Sequence, residues 1–209
     1  MAEFASDTFT GTNGTILSTY SADWVQHPLA GTTAQIASGR VRATAAATAL
    51  YYHVGAPASP DYRVSADVYE HTEPLSYYTG VIGRSDTSEL TFYMARHAND
   101  GIDAWQLYKC ISGTFTQLGS NSTDGITTGT SARVELFMDG TSIVLYKRGG
   151  VTPTIAVTDS SITDAGKSGF RTGATTITDT TGYHLDNFSA VDSGGDVTNR
   201  FLLLMGVGT

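Results

Sequence analysis

A single cysteine among 209 residues, Cys110, leaves no partner for an intrachain disulfide, so oxidative cross-links do not hold this fold. Its place in an alternating run reads as a buried, inert thiol. Charge is sparse and lopsided: 15% of residues, with 20 acids against 12 bases and a formal net charge of −8. The resulting field repels phosphate backbones and anionic headgroups, which disfavours nucleic acid as a partner. No stretch approaches the roughly 18 apolar residues that span a bilayer, so no membrane partner is expected. Segments with the i, i+3, i+4, i+7 apolar spacing of an amphipathic helix are also missing. The five histidines, His27, His53, His71, His97 and His184, are scattered without metal-ligand spacing to another His or Cys, and a zinc site is not expected.

What the chain has instead is turn chemistry. Its 23 glycines, with Thr, Ser, Asp and Asn, separate short runs in which apolar and polar residues alternate. The clearest case is Arg133 to Lys147. With Asp139-Gly140 as a two-residue turn, Val134 is expected opposite Leu145 and Leu136 opposite Ile143, giving one apolar face. Tyr62 to Tyr69 alternates as well, with Val64, Ala66 and Val68 on one side and Arg63, Ser65 and Asp67 on the other. Further strands are expected over Asp7 to Gly14, Ala49 to Val54, Gly80 to Arg84, Leu90 to His97, Ile155 to Thr158, Gly166 to Thr172 and Tyr183 to Val191. Hairpins are expected over Gln35 to Arg42, turning at Ser38-Gly39, and over Ala104 to Gly119. About a dozen strands exceed what one open twisted sheet usually carries, so an all-β sandwich of two antiparallel sheets is the natural solution. Residues 1–192 are expected to form one domain, and residues 193–209 a polar linker and an apolar tail. That tail, Phe201, Leu202, Leu203, Leu204 and Met205, is expected to pair, either as a last strand of its own sandwich or by strand addition to a neighbouring subunit.

The order of motifs carries a family resemblance. Asp7-Thr-Phe9 with Gly11 and Gly14, Trp24, the Arg133 to Lys147 hairpin, Ala165-Gly166-Lys-Ser-Gly169-Phe170, and Tyr183-His-Leu-Asp186-Asn187-Phe188 follow one another over residues 5–192. In that order and spacing the chain resembles the concanavalin A-like lectin and glucanase jelly rolls, particularly their laminin-G-like bacterial and phage members. The resemblance implies two curved antiparallel sheets in a jelly-roll sandwich, with a concave face that often binds glycans. The scaffold hosts lectins, glycosidases, binding modules and viral structural proteins alike, so function has to come from the site.

Candidate chemistry is thin. Retaining glucanases of this fold look like Glu-x-Asp-x-x-Glu on a concave strand, and Ser65-Ala-Asp67-Val-Tyr-Glu70 matches only its second and third carboxylates. With Ser65 at the nucleophile position, no enzymatic activity is expected through this segment. Ala165-Gly-Lys-Ser168 lacks the first glycine of a phosphate-binding loop and a following helix. Sugar stacking would need aromatic faces, for which Tyr77, Tyr78, Trp24 and Trp105 are the candidates. Trp105 shares a face with Leu107, which favours a core position, whereas Tyr77-Tyr78 falls at a loop edge. Arg84 and Arg96 fall on neighbouring strands, where pairing with acids is their expected role. No cofactor is expected except a structural calcium at Asp7 and Asp186, since the first and last strands of jelly rolls often meet; turn hydrogen bonds are the other reading of both.

These observations favour a non-enzymatic attachment protein of a larger assembly, such as a phage capsid decoration or tail component located in the virion. Its partners would be other protein subunits, through homo-oligomerisation or docking on a capsid or tail surface. A carbohydrate-binding module or adhesin is the alternative, followed by a glycan-active enzyme. The start Met1-Ala-Glu-Phe-Ala-Ser-Asp7 has neither a basic opening nor an apolar run, so no secretory signal is expected. Glu3-Phe4 also fits a cloning scar, which leaves a mature secreted fragment open.

Overall fold

The strands pair into two layers. The computed structural model describes residues 1–71, 76–99, 101–173 and 177–193. Among these, one sheet has eight strands in the order β13 (Ile155–Thr158), β12 (Ser142–Lys147), β11 (Ser131–Asp139), β6 (Tyr62–Glu70), β15 (Tyr183–Asp192), β4 (Val41–Ala43) and β3 (Ala34–Ile36), with β1 (Glu3–Asp7) paired beside β15. The other has seven: β10 (Thr114–Ser122), β9 (Asp103–Ile111), β8 (Phe92–Asn99), β7 (Tyr77–Ser85), β14 (Lys167–Gly173), β5 (Ala49–His53) and β2 (Trp24–Gln26). Pairing between the named strands is antiparallel throughout. A single helical turn, α1 (Leu17–Tyr20), interrupts the β structure, and no described helix is long and apolar enough to cross a membrane. The expected tail pairing of Phe201, Leu202, Leu203, Leu204 and Met205 falls outside the described residues.

Inward residues of both sheets, among them Val64, Ala66, Val68, Val81, Leu107, Val134, Leu136, Ile143 and Leu145, fill the space between the layers. An aromatic knot closes one end. Trp24 packs edge-on to Phe188 (4.9 Å between ring centroids) and Phe170 (5.2 Å), with Phe9 and His53 at 5.6 and 5.2 Å. Asp7 ties this knot by accepting hydrogen bonds from Trp24 Nε1 (2.7 Å), the Tyr20 hydroxyl (2.9 Å) and the Phe9 backbone N–H (2.7 Å). The motif residues Asp7, Phe9, Trp24, Phe170 and Phe188, distant in sequence, thus meet as structural core.

Two expectations need correction. The β11–β12 hairpin turns at Gly140-Thr141, so Asp139 pairs with Ser142, Met138 with Ile143 and Leu136 with Leu145. Gly140 takes φ +54° while Thr141 stays at negative φ. This arrangement needs one left-handed residue and gives it to glycine, whereas a turn centred on Asp139-Gly140 with two positive φ angles would strain the aspartate. The apolar face survives because the register moves without changing side. The opening strand, expected from Asp7 onward, instead ends there, because Asp7 turns its carboxylate back onto the next residues.

Candidate functional site

The outer face of the seven-stranded sheet is where polar and aromatic side chains converge. A second apolar cluster lines part of this face: Leu50, Tyr78, Ile82, Phe92, Met94, Ala98 and Cys110, with Ala30, Leu90 and Tyr108 packed against it. Cys110 is fully buried and its thiol pKa is pushed up by burial. Across the middle runs one register row, Leu50 on β5, Arg171 on β14, Gly80 on β7, Arg96 on β8 and Gln106 on β9. Arg96 Nε donates to Gln106 Oε1 at 2.7 Å, and Arg171 reaches the Thr48 hydroxyl at 3.5 Å. The Tyr78 ring lies between the two arginines, its centroid 5.0 Å from the Arg96 guanidinium and 4.6 Å from that of Arg171. Arg96 also lies 4.5 Å from Tyr108, and Arg171 lies 4.7 Å from Phe115.

The last contact reveals curvature. Three strands separate β14 from β10, which in a flat sheet would place them roughly 19 Å apart. Arg171 and Phe115 touch because the sheet curls, making this face a concave groove. Burial lowers the Arg171 pKa, and the Arg96 charge lowers it further, while Tyr78 acts in the opposite direction. At one end a cleft of about 200 Å³ lies between Leu29, Glu89, Leu90, Ser112 and Gly113.

The other candidates distribute unevenly. Tyr78 is on the groove, its hydroxyl 2.5 Å from that of Thr48. Tyr77, one residue earlier, points between the sheets. Trp24 and Trp105 are fully buried there, hydrogen-bonded to Asp7 and to the Asp124 carbonyl (2.8 Å), so neither presents a stacking face to solvent. Arg84 is anchored to Asp61 (3.4 Å) and to the carbonyls of Pro60, Ile162 and Gly140, a structural role. Ser65 and Asp67 lie on the outer face of the eight-stranded sheet, held by Arg133 at 2.6 and 3.2 Å, whereas Glu70 is buried on the inner side. The three do not converge on one substrate position. Asp7 is occupied as described, and Asp186 accepts from the Asn187 backbone N–H (2.7 Å); its pKa is raised, chiefly by burial.

Sequence spacing gave no hint of a cluster between the sheets. Glu70, His97 and Asp103 bring potential metal-donor atoms within 4.8 Å of one another. His97 Nε2 lies 3.1 Å from Asp103 Oδ1, close but not aligned as a hydrogen bond. Burial, and then the Arg148 charge, push the His97 pKa down to about 3, which keeps the imidazole neutral. Nor was the Arg96–Tyr78–Arg171 row visible in advance, because its members lie 18 to 93 positions apart and only strand order makes them neighbours.

Two layers of antiparallel strands with one curled face have the concanavalin A-like jelly-roll fold. No family model and no curated protein matches the sequence. Among solved structures the chain is similar to the carbohydrate binding module CBM66 from Bacillus subtilis, with 14% identity, coverage of 80% of this chain and 94% of that one, and a TM-score of 0.60. It is similar to a Bacillus licheniformis beta-glucanase, with 9% identity, 92% and 99% coverage and a TM-score of 0.60. A Mycobacterium marinum beta-1,3-glucanase matches at 10% identity, 91% and 99% coverage and a TM-score of 0.57. At such identities the likeness is one of fold.

Proposed function

We propose that this protein is a non-enzymatic glycan-binding module whose ligand lies in the concave groove of the seven-stranded sheet. The observation that carries the reading is the row of Arg96, Tyr78 and Arg171 flanked by Tyr108 and Phe115. Aromatic faces stack on pyranose C–H surfaces, and guanidinium and amide groups hydrogen-bond hydroxyls, a combination suited to a sugar. The fold likeness to a carbohydrate binding module and to glucanases supports it.

Binding is preferred to hydrolysis because a glycosidase needs two carboxylates facing each other across the bond, about 5 to 9.5 Å apart. Among the described residues, the strand positions facing the groove carry no carboxylate. The docking tail of the virion-attachment role expected from the sequence, Phe201 to Met205, lies outside the described residues. The sugar-binding reading is preferred because the rings and guanidiniums that would carry it lie among the described residues. A glycan microarray probed with the wild type and with a Tyr108→Ala, Phe115→Ala double variant tests it. The wild type is expected to bind a defined subset, and the double variant to lose at least about tenfold in affinity, or 1.4 kcal/mol. No binding across the array, or binding indifferent to the double variant, overturns the reading.

A further inference from the structure

Three of the five histidines commit a ring nitrogen to the backbone. His27 and His53 each accept an N–H at Nδ1, from Leu29 (3.1 Å) and Gly55 (3.0 Å), and His184 Nε2 lies 2.9 Å from the Thr178 carbonyl. His97 commits neither nitrogen. It is fully buried, and both its ring nitrogens lack a hydrogen-bond partner among the described residues. Burying an imidazole in that state costs free energy that folding has to offset, so the position calls for a reason. The ring is turned towards carboxylates: one nitrogen of His97, one oxygen of Glu70 and one of Asp103 all lie within 4.8 Å of one another.

These three donors come from both layers. Glu70 ends β6 of the eight-stranded sheet, whereas His97 on β8 and Asp103 at the start of β9 belong to the seven-stranded sheet. Their surroundings orient them. The Thr128 hydroxyl donates to Glu70 Oε1 at 2.8 Å, and the Glu70 backbone is clamped by Gly129 (2.7 Å) and Thr130 (3.1 Å). The rings of Trp105 and Tyr183 hold the His97 ring, at centroid distances of 4.7 and 5.2 Å. Gly125 makes room for the Asp103 carboxylate, with which a Cβ there would collide. The Asp103 side chain is 27% exposed, which opens the cluster to solvent on one side. Ligands about 2.1 Å from a tetrahedral zinc ion stand roughly 3.4 Å apart. The 3.1 Å between His97 Nε2 and Asp103 Oδ1 is close to that, and the 4.8 Å limit on the rest leaves a side-chain adjustment of about 1.4 Å at most. One imidazole with two carboxylates suits a borderline divalent metal such as zinc, whereas calcium and magnesium take oxygen ligands alone. Two ionised carboxylates also cancel the charge of the ion, so the filled site is neutral overall, as a buried place requires.

We infer that Glu70, His97 and Asp103 form a zinc site that staples the two sheets together, with water completing the coordination past Asp103. The site lies between the layers and is separate from the groove. It supplies a cross-link to a fold whose single cysteine allows no intrachain disulfide. The test is calorimetric titration of the EDTA-stripped full chain with zinc chloride, together with thermal unfolding with and without the metal. One zinc per chain is expected, and at free zinc a hundred times the dissociation constant the midpoint should rise by about 5 °C or more. Asp103→Asn, which keeps the shape of the side chain, should weaken binding at least about a hundredfold, the upper end of what losing a group that merely supports a ligand costs. His71→Gln should leave binding unchanged, although His71 and His184 stack with ring centroids 4.4 Å apart and are the other place where two imidazoles could meet a metal. Zinc-edge X-ray absorption of the wild type decides the matter even if the variants do not fold, the expected shell being one imidazole among oxygen ligands. Absence of stoichiometric binding, a shell with two imidazoles, or affinity untouched by Asp103→Asn overturns the proposal.

Discussion

His97 and His184 are two fully buried imidazoles that the fold keeps neutral. Burial is the main cause for both; the Arg148 charge adds to it at His97, and the neighbouring His71 ring at His184, bringing the pKa values to about 3 and about 4. In the unfolded chain both titrate near 6.5. Below that value the unfolded state binds more protons than the folded one, so stability is lost as pH falls through the window from 6.5 towards 4. Each histidine is expected to cost roughly 2 kcal/mol between pH 7 and pH 4.5. Urea midpoints measured across that range should fall steeply, and His184→Gln should flatten the slope; a midpoint independent of pH would contradict this account. At the same scale Trp24 and Trp105 show where sequence reading stops. Alternation tells which residues share a face, and Trp105 with Leu107 was legible as core in that way. Trp24 stands in an irregular stretch with no such pattern, and its partners Phe170 and Phe188 arrive from far along the chain.

Strands and hairpins were largely legible because period-two alternation and glycine turns are local signals. The hairpin of β9 and β10 forms around Ser112-Gly113, and β3 and β4 are joined through Ser38-Gly39, all four residues at positive φ. The β11–β12 register slipped from expectation because two turn placements keep the same apolar side, and the choice lay in which residue could adopt the left-handed conformation. Pairing between sequence-distant strands had no local signal at all: β14 lies between β5 and β7, and β15 between β4 and β6, an arrangement fixed by burying both inner faces together. Gly80 and Gly169 mark how closely those strands approach. A Cβ at Gly80 would meet the Ala95 carbonyl, and one at Gly169 the Tyr51 carbonyl, backbone atoms that cannot swing aside. Gly80→Ala and Gly169→Ala are each expected to destabilise the fold by more than about 2 kcal/mol. Guanidinium denaturation checks this, and a wild-type midpoint in either variant would mean the sheet tolerates wider spacing than described.

The assembled molecule presents two unlike outer surfaces. One carries Arg63 and Arg133 matched with acids and ordinary cross-strand pairs, and the other carries a curled groove in which Arg171 stacks on aromatic rings. The resemblance in motif order led to the correct fold, yet the residues that carried it, Asp7, Phe9, Trp24, Phe170 and Phe188, build the interior rather than the site. A groove formed by strands brought together from five parts of the chain has no linear signature, so Tyr78 was identifiable as a loop-edge aromatic but Arg171 and Phe115 were not. The central claim is that this groove, and not the opposite face, receives a sugar. The most direct measurement is an amide chemical-shift map of the ¹⁵N-labelled protein titrated with the tightest array ligand. Perturbations are expected to cluster on β7, β8, β9, β10 and β14 around Gly80, Arg96, Tyr108, Phe115 and Arg171. A cluster on the outer face of β6, β11 and β12, around Arg63, Arg133 and Tyr146, would contradict the account.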